Sequence, residues 1–443
     1  MSGSYAIARA PRFILSHARI PHSLLARTAG VGDRDGLAEV DVLIEAGRIG
    51  AIAPGGAGFG PWGDDFPRLA LDGAIALPLF VDAHTHLDKG HIWPRAPNPD
   101  GTFGAALDKV AADRSAHWSA ADVAARMEFA LRCAYAHGTG AIRTHIDSVG
   151  PQTRISWPMF AEARDRWRGR IDLQASPLFR VDFALDEAHM RDVEAMVEAH
   201  GSRLLGAVTS MVPALREALD LLFRLAARKG YDLDFHVDET ADPAAVSLAV
   251  IAETALAQRF AGRVMVGHCC SLSRQGEEDA KRTIELVARA GLDVVSLPMC
   301  NLYLQDRRPG ATPRWRGVTA QHELKAAGVN TMIASDNTRD SFYAYGDLDM
   351  MEVWREGARI LHLDHPVAPW APALFSAPAR AMGLDVGVLR VGGPADMILT
   401  RARSFSELLA RPQHDRTVLR AGVAVDAALP GYDALDRLHG LRP

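Results

Sequence analysis

Residues 79–89 read L-F-V-D-A-H-T-H-L-D-K, so that an apolar, strand-like run leads directly into two histidines. In a β-strand, residues i and i+2 face the same side, so His84 and His86 can present two imidazoles to one point. The pair alone carries little weight, because 17 histidines in 443 residues produce H-x-H by chance. The pair lies directly after an apolar run, so the residues that follow the other apolar runs decide whether it forms part of a site.

Short apolar runs recur along the middle of the chain, and helix-length segments separate most of them. The predicted strands are Ile75–Phe80, Ala141–Ile146, Ile171–Ser176, Leu204–Val208, Leu233–Val237, Arg263–Gly267, Leu292–Leu297 and Thr331–Ala334. Helical spacing of apolar residues is clearest in Pro213–Lys229 and Asp279–Ala290. This alternation predicts an α/β fold, a parallel (β/α)₈ TIM barrel over residues 77–387.

Both ends of the chain have a different pattern, in which short strands are broken by turns. The strand-like runs lie at Phe13–Leu15, Val40–Ile44, Arg48–Ile52, 395–400, 417–419 and 422–425. A loop rich in glycine and proline is predicted at Pro54–Gly63. We therefore expect one small composite β-sandwich domain made of residues 1–76 and 388–443.

Later strands of the predicted barrel end in the same kinds of side chain as the first. His236 and Glu239 come at the end of the fifth strand, His268 follows the sixth and Asp336 follows the eighth. The carboxyl ends of barrel strands meet at one face, so we expect these groups to lie beside the H-x-H pair. A lone buried histidine is usually only hydrogen-bonded, but a chance gathering of all these groups would be rare.

Three neutral imidazoles and a carboxylate are ligands that suit Zn²⁺, and Fe²⁺ or Mn²⁺ less selectively. A bound divalent ion lowers the pKa of its water from about 16 toward about 7, which makes a nucleophile available at neutral pH. A second, bridged ion would require a carbamylated lysine on the fourth strand, and the run Leu204–Val212 contains no lysine. We therefore expect one divalent metal ion per chain, Zn²⁺ or Fe²⁺.

Composition argues against several other classes of protein. Hydrophobic residues make up 48% and charged residues 23%, and a net charge of −5 is spread without long runs, so neither nucleic acid nor a membrane is an expected partner. The four cysteines show no C-x-x-C spacing, which argues against a zinc ribbon or a disulfide framework. No secretory signal or apolar span is recognisable, and we expect a cytoplasmic location.

At these residues the sequence resembles the amidohydrolase superfamily and, within it, the cytosine deaminase family, over roughly residues 75–365. The similar segments are F-V-D-A-H-T-H-L-D at 80–88, R-T-H-I-D at 143–147, I-D-L-Q at 171–174, H-V-D-E at 236–239, N-L-Y-L-Q at 301–305 and R-G-V-T at 316–319. H-x-D-E followed by a later G-H and S-D is far more specific than H-x-H. The resemblance implies a metal-dependent hydrolase, a flanking β domain and a homo-oligomer.

The resemblance also implies roles for individual residues of this chain. Glu239 matches the acid that shuttles a proton, and His268 matches the histidine that orients the attacking water. Asp336 would take the proton of that water together with His268. The residues that match the metal ligands are His84, His86, His236 and Asp336.

Three positions of the expected pocket depart from that family. Arg180 stands where the family has a glutamine that reads the base, Asn337 replaces an aspartate and Phe342 replaces a tryptophan. Arginine cannot accept a hydrogen bond, so Arg180 would favour a carbonyl, a carboxylate or an anionic ring, or would only form an ion pair at the rim. Other polar residues that would either line the pocket or brace its loops are Lys89, Arg143, His145 and Asn301.

The expected function is hydrolytic deamination, or release of an amine, from a small oxo-substituted N-heterocycle such as a pyrimidine, triazine or imidazolone. An alternative keeps the same metal site but hydrolyses a cyclic or acyl amide. Ammonia release as against ring opening separates these two. A non-catalytic, ligand-binding descendant would have lost metal ligands, and this chain retains all four together with Glu239.

Overall fold

The computed structural model describes residues 5–7, 10–27, 32–59 and 66–441, so the end of the predicted loop Pro54–Gly63 lies outside the described residues. The chain divides into two compact units. Unit 1 comprises Met1–Val81, Ala134–Gly140 and Asp349–Leu429. Unit 2 comprises Asp82–Cys133, Ala141–Leu348 and Pro430–Pro443.

The described residues form strands and helices that are numbered here in chain order. The strands are β1 (Arg12–Pro21), β2 (Leu37–Glu45), β3 (Arg48–Pro54), β4 (Arg68–Ala70), β5 (Ala76–Pro78), β6 (Phe80–Thr85), β7 (Thr139–Asp147), β8 (Asp172–Leu178), β9 (Leu204–Val208), β10 (Asp232–Val237), β11 (Val264–His268), β12 (Asp293–Ser296), β13 (Asn330–Ile333), β14 (Met397–Leu399), β15 (Thr417–Arg420) and β16 (Val423–Ala424). The α-helices are α1 (Phe103–His117), α2 (Ala120–His137), α3 (Thr153–Trp167), α4 (Glu187–Ala199), α5 (Leu215–Lys229), α6 (Ser247–Ala257), α7 (Glu277–Ala290), α8 (Pro298–Leu304), α9 (Gln321–Ala326), α10 (Met350–Leu361), α11 (Ser376–Met382) and α12 (Phe405–Ala410).

Unit 1 contains two four-stranded sheets, ordered β3-β2-β1-β4 and β16-β15-β14-β5. β1 pairs antiparallel with β2 and parallel with β4, whereas β5, β14, β15 and β16 form antiparallel ladders. Strands from both ends of the chain thus lie in this unit, together with α10, α11 and α12. The predicted boundaries at residues 76 and 388 stay a prediction.

Unit 2 contains most of the sheet ordered β6-β7-β8 and all of the sheet ordered β9-β10-β11-β12-β13. β7 and β8 run parallel, as do all neighbours from β9 to β13. All residues of β6 and of β11 are buried, as expected for strands covered on both faces. Parallel bridges join Arg180 to Val208 and Thr85 to Asp336, so strand ends from the two sheets adjoin at both edges.

The predicted mixed α/β fold with parallel sheets is confirmed, and seven of the eight predicted strands overlap the observed β7 to β13 closely. The first predicted strand, Ile75–Phe80, is wrong as a single element. Ala76–Pro78 pairs with Met397–Leu399 in unit 1, and a separate strand, Phe80–Thr85, carries His84. Pro78 lacks an N–H group and ends the first pairing, so the apolar run is divided between two sheets.

Among the described residues, no helix combines the length and the apolar character needed to cross a membrane.

Gly206 in β9 gives a test of how tightly the strands of unit 2 pack. A Cβ there would lie 2.1 Å from the backbone oxygen of Asp234 and 2.5 Å from Ser176 Oγ, so Gly206→Ala should destabilise the protein by about 1–3 kcal/mol through overpacking. A Cβ on Gly104 in α1 would meet no atom within 4 Å, so the control Gly104→Ala should be neutral or stabilising by up to about 1 kcal/mol. Thermal unfolding measures both. Equal melting temperatures for Gly206→Ala and the wild type would contradict the packing.

Candidate active site

Four side chains from three strand ends converge at the centre of the site. His84 Nε2 lies 3.1 Å from His236 Nε2, which lies 3.3 Å from His86 Nε2. Asp336 Oδ1 lies 3.2 Å from His86 Nε2 and 3.6 Å from His84 Nε2. All four residues are at least nine-tenths buried. The predicted gathering of three imidazoles and a carboxylate is therefore present as a compact group.

Several polar atoms of these buried groups have no hydrogen-bond partner by distance and angle among the described residues. Desolvation by burial lowers the pKa values of His84, His86 and His236 well below the usual value, so their rings are neutral and carry lone pairs. Among the described residues, no N–H or O–H group donates to the Asp336 carboxylate, and its hydrogen-bonding neighbour is the weakly donating thiol of Cys300. An unpaired buried carboxylate beside neutral imidazoles is costly unless a cation joins it.

The distances fit a single metal ion. Ligand atoms about 2.0–2.1 Å from a tetrahedral zinc ion are about 3.3 Å apart along each edge of the tetrahedron. The four measured separations in this group span 3.1–3.6 Å. The donor set and its spacing therefore fit a divalent cation of the Zn²⁺ or Fe²⁺ type.

His145 offers a competing set of ligands that the geometry resolves. Ligand atoms of His84, His145 and His236 all lie within 4.8 Å of one another. His145 Nε2, however, contacts His84 Nδ1 at 3.1 Å, whereas His84 Nε2 faces His236 and Asp336. One imidazole cannot bind the same ion through both nitrogens, so His145 lies behind His84 as its hydrogen-bond partner. Such partners fix the orientation and tautomer of ligand histidines.

Contacts between β6 and the end of β13 place Asp336 beside the histidines. The backbone N–H of Asp336 donates to the oxygen of His84 at 2.9 Å, and Thr85 Oγ1 donates to the oxygen of Asp336 at 2.8 Å. The backbone N–H of Ser335 donates to the buried Asp82 carboxylate at 3.2 Å. The aspartate of D-A-H-T-H thus binds the segment that carries the fourth member of the group.

Glu239 and His268 lie next to this group and share one neighbour. Glu239 Oε1 accepts a hydrogen bond from Asn301 Nδ2 at 3.0 Å and lies 3.4 Å from His268 Nδ1. Burial first, and then the charge of Asp336, raises the pKa of Glu239 well above its usual value. Ligand atoms of His84, His268 and Asp336 lie within 4.8 Å of one another. The predicted acid and the predicted water-orienting histidine are both brought to the site.

Strained backbone marks the strand ends that carry these residues. Asp238, His268 and Asp336 have positive φ values of 48°, 69° and 61°, which non-glycine residues seldom adopt. The Asp238 carboxylate accepts hydrogen bonds from the N–H groups of Ser247 and Leu248 at the start of α6 and so holds its segment in place. Such strain concentrates at functional sites, where surrounding contacts maintain it.

Lys89 and His145 are enclosed rather than open to solvent. The Lys89 ammonium lies 3.2 Å from Asp147 Oδ1 and 5.3 Å from the centre of the Phe342 ring. Arg114 pairs with the other oxygen of Asp147 at 2.7 Å. Lys89 thus lies between a buried aspartate and the aromatic ring predicted for the pocket.

The loop after β13 is organised by Asp340, a residue that sequence reasoning missed. Asn337 Nδ2 donates to Asp340 Oδ2 at 2.6 Å, and Asp340 Oδ1 accepts from the N–H groups of Phe342 and Tyr343. The thiol of Cys300 lies 3.7 Å from Asn337 Oδ1. Both ends of the Asn337 amide therefore have protein partners. The only available signal was an Asp two residues before an aromatic residue, which is typical of a side-chain-capped turn.

Arg180 and Arg143, the two arginines predicted near the pocket, differ in their exposure to solvent. The Arg180 side chain is 67% exposed and pairs with Asp182 Oδ2 at 2.6 Å. Arg143 is fully buried and contacts Asp234 Oδ2 at 3.1 Å and Gln174 Oε1 at 2.8 Å. A substrate contact by Arg180 stays a prediction, and it would have to compete with the Asp182 ion pair.

Comparison with known proteins agrees with this chemistry. The amidohydrolase family profile matches residues 181–426. A pterin deaminase of Rhizobium rhizogenes is 52% identical, over 97% of this chain and 98% of the relative. An N-isopropylammelide isopropyl amidohydrolase of Pseudomonas sp. is 26% identical, over 75% of this chain and 81% of the relative. The 5-methylcytosine deaminase of Klebsiella pneumoniae superposes with a TM-score of 0.80 at 23% identity, over 94% of this chain and 97% of that chain.

Parallel sheets with imidazoles and a carboxylate at the carboxyl ends of their strands are typical of metal-dependent hydrolases. The chain belongs to the amidohydrolase family. The resemblance expected from the sequence is confirmed, and the structural likeness to 5-methylcytosine deaminase supports the fold.

Metal removal tests the ligand group. Chelation should lower the melting temperature and abolish activity, because it leaves a buried, unpaired carboxylate, and added Zn²⁺ should restore both.

His236→Gln should bind less than about a tenth of the metal bound by the wild type, since ligand loss weakens such sites strongly. The exposed His414 supplies the matched control His414→Gln, with wild-type metal content expected. Elemental analysis of dialysed protein decides the matter, and full metal content in His236→Gln would contradict the assignment.

Proposed function

We propose that this protein is a hydrolytic deaminase that acts on a small oxo-substituted N-heterocycle of the pterin type. The observation that carries the proposal is the enclosed group of His84, His86, His236 and Asp336 with Glu239 beside it. The identity to a pterin deaminase along almost the whole chain supports the substrate class.

The reaction is a hydrolysis whose atoms balance with water alone. The oxygen of water adds to the ring carbon that bears the exocyclic amino group, and the C=N bond to the neighbouring ring nitrogen becomes a single bond. The C–N bond to the amino group then breaks, ammonia leaves and the carbon becomes a carbonyl. Two proton transfers are needed, one to the ring nitrogen and one to the departing amine.

One divalent ion, Zn²⁺ or Fe²⁺, would be held by His84, His86, His236 and Asp336. When bound, such an ion makes water nucleophilic near neutral pH by lowering its pKa. The neutral imidazoles and the deprotonated Asp336 carboxylate are the forms that bind a metal.

Glu239 would carry the proton that the heterocycle needs. Its burial raises the pKa, so the carboxyl group can hold a proton and release it to the ring nitrogen as water adds. His268 would orient the water, and Asp336 would receive its proton. His268 Nε2 is buried and, within the described residues, lacks a hydrogen-bond partner, which suits a group that contacts a water or substrate.

The pocket walls are proposed from the residues that surround this centre. Phe342 would contact the heterocycle with its ring, and Lys89 would favour an oxo or anionic edge of the substrate. Asn337, His145 and Arg180 complete the predicted set. Asn337 would act through Asp340, and His145 would act through His84. Arg180 would act from the rim of the pocket.

The larger architecture belongs to the same proposal. The bridges between Arg180 and Val208 and between Thr85 and Asp336 support the closure of β6 to β13 into one (β/α)₈ barrel. The two sheets of unit 1 support a small β-sandwich domain. Assembly into a homo-oligomer is proposed on family resemblance.

Glu239→Gln tests the proton-transfer role. The amide keeps the size of the side chain but cannot release a carboxyl proton, so ammonia release from pterin should fall by about 10²–10⁴-fold while metal content stays at the wild-type level. The exposed Glu278 supplies a matched control, Glu278→Gln, with activity unchanged. Near-normal turnover in Glu239→Gln would remove it as the proton carrier.

A substrate panel tests the reaction class. Pterin, cytosine, an N-alkyl aminotriazine and a cyclic amide are incubated with the metal-loaded enzyme, and ammonia, amine and ring-opened products are measured. Ammonia release from pterin is expected. Ring opening of the cyclic amide without ammonia release from any amino-heterocycle would overturn the deaminase assignment in favour of cyclic amide hydrolysis.

A further inference from the structure

The segment N-L-Y-L-Q at 301–305 reaches the acid–base residues from α8. Asn301 and Gln305 are four residues apart, which places them on the same side of a helical turn. Asn301 Nδ2 donates to Glu239 Oε1 at 3.0 Å, and Gln305 Nε2 donates to the backbone oxygen of Glu239 at 3.3 Å. One short segment thus binds both the side chain and the main chain of the predicted acid.

The same amide nitrogen of Asn301 also lies 3.0 Å from His268 Nδ1. A primary amide carries two N–H hydrogens, so Nδ2 can donate to Glu239 and to His268 together. Asn301 is fully buried, so its amide is shielded from bulk solvent. Because an amide nitrogen only donates, His268 Nδ1 must accept, and the proton of the neutral ring is then on Nε2.

His268 Nε2 is the atom that this arrangement leaves for chemistry. It is buried and has no hydrogen-bond partner among the residues that the structure describes. His268 lies in the group whose ligand atoms, with those of His84 and Asp336, fall within 4.8 Å of one another. A proton on Nε2 therefore provides a donor at the place where a water or a substrate oxygen has to be oriented.

In its ionised form, Glu239 fixes the orientation of the amide, because an ionised carboxylate only accepts hydrogen bonds. With the amide reversed, the oxygen of Asn301 would lie 3.0 Å from Glu239 Oε1, and two acceptors would face each other whenever the carboxylate is ionised. The nitrogen-forward orientation satisfies Glu239 and His268, and it leaves the buried Oδ1 of Asn301 without a hydrogen-bond partner among the described residues.

We propose that Asn301 is a positioning residue that sets the Nε2–H tautomer of His268 and at the same time orients the carboxyl group of Glu239. The proposal rests on the proposed hydrolytic function for its catalytic consequence. The tautomer itself is a property of the resting protein and does not depend on the substrate. Asn301 thereby links the water-orienting histidine to the proton-carrying acid through one amide.

Neutron diffraction from crystals of the metal-loaded enzyme tests the tautomer directly, because it locates hydrogen or deuterium on each ring nitrogen. We expect occupancy on His268 Nε2, none on Nδ1, and both deuterons of the Asn301 amide directed at Glu239 and His268. A deuteron on His268 Nδ1, or a reversed Asn301 amide, would overturn the proposal. This measurement uses the wild-type protein and needs no variant to fold.

Asn301→Asp supplies the matched perturbation, since the aspartate has nearly the same shape but offers only acceptors when it is ionised. We expect kcat to fall by about 100-fold or more with KM within about threefold, unchanged metal content, and a proton moved to His268 Nδ1. Asn301→Ser, which keeps a donor but a shorter side chain, should retain more activity than Asn301→Asp. The exposed Leu302 supplies the control Leu302→Ala, with wild-type kcat expected.

The outcomes separate this proposal from the proposed function. The predicted tautomer without ammonia release from any amino-heterocycle would retain the positioning role and refute the deaminase. Deamination together with a proton on Nδ1 of wild-type His268 would retain the deaminase and refute the positioning role. Wild-type kcat in Asn301→Asp would also refute the positioning role.

Discussion

Four of the distances between the ligand atoms of His84, His86, His236 and Asp336 are 3.1–3.6 Å, and the site depends on what stabilises these polar atoms at such short range in a buried space. Burial keeps the imidazoles neutral, so each ring has one nitrogen with a lone pair, and these nitrogens lie beside a buried carboxylate that no N–H or O–H group of the described residues neutralises. Such an arrangement is unfavourable by several kcal/mol unless a cation occupies its centre. The same electrostatic requirement that makes this group costly without a cation makes it a strong metal ligand set.

The surrounding structure holds this group together through a small number of buried contacts. Asp82 and Thr85 on β6 bind the segment that carries Asp336, and His145 contacts the far nitrogen of His84. A Cβ at Gly267 would lie 2.9 Å from His84 Cε1, so the glycine leaves room for the His84 ring. These contacts fix ligand positions before any substrate binds, which is the condition for efficient electrostatic catalysis.

Sequence patterns predicted the reactive side chains better than the residues that hold them in place. Apolar runs followed directly by His84, His236, His268 or Asp336 located the reactive groups, because parallel strands bring their carboxyl ends to one face. The division of Ile75–Phe80 between two sheets was missed, since an apolar run does not reveal its pairing partner. Asp340 and Asn301 were under-read for a related reason. Asp340 acts through a local turn that hydrophobic periodicity does not reveal, and Asn301 acts on residues 33 and 62 positions away in the sequence.

Anomalous X-ray diffraction from crystals of the purified enzyme, with data on both sides of the zinc and iron absorption edges, is the most direct test. A single peak per chain is expected, with bonds of about 2.0–2.2 Å to three histidine Nε2 atoms and to one oxygen of Asp336. Absence of any peak among His84, His86, His236 and Asp336 in a fully active enzyme would contradict the account, as would two ions bridged at that position.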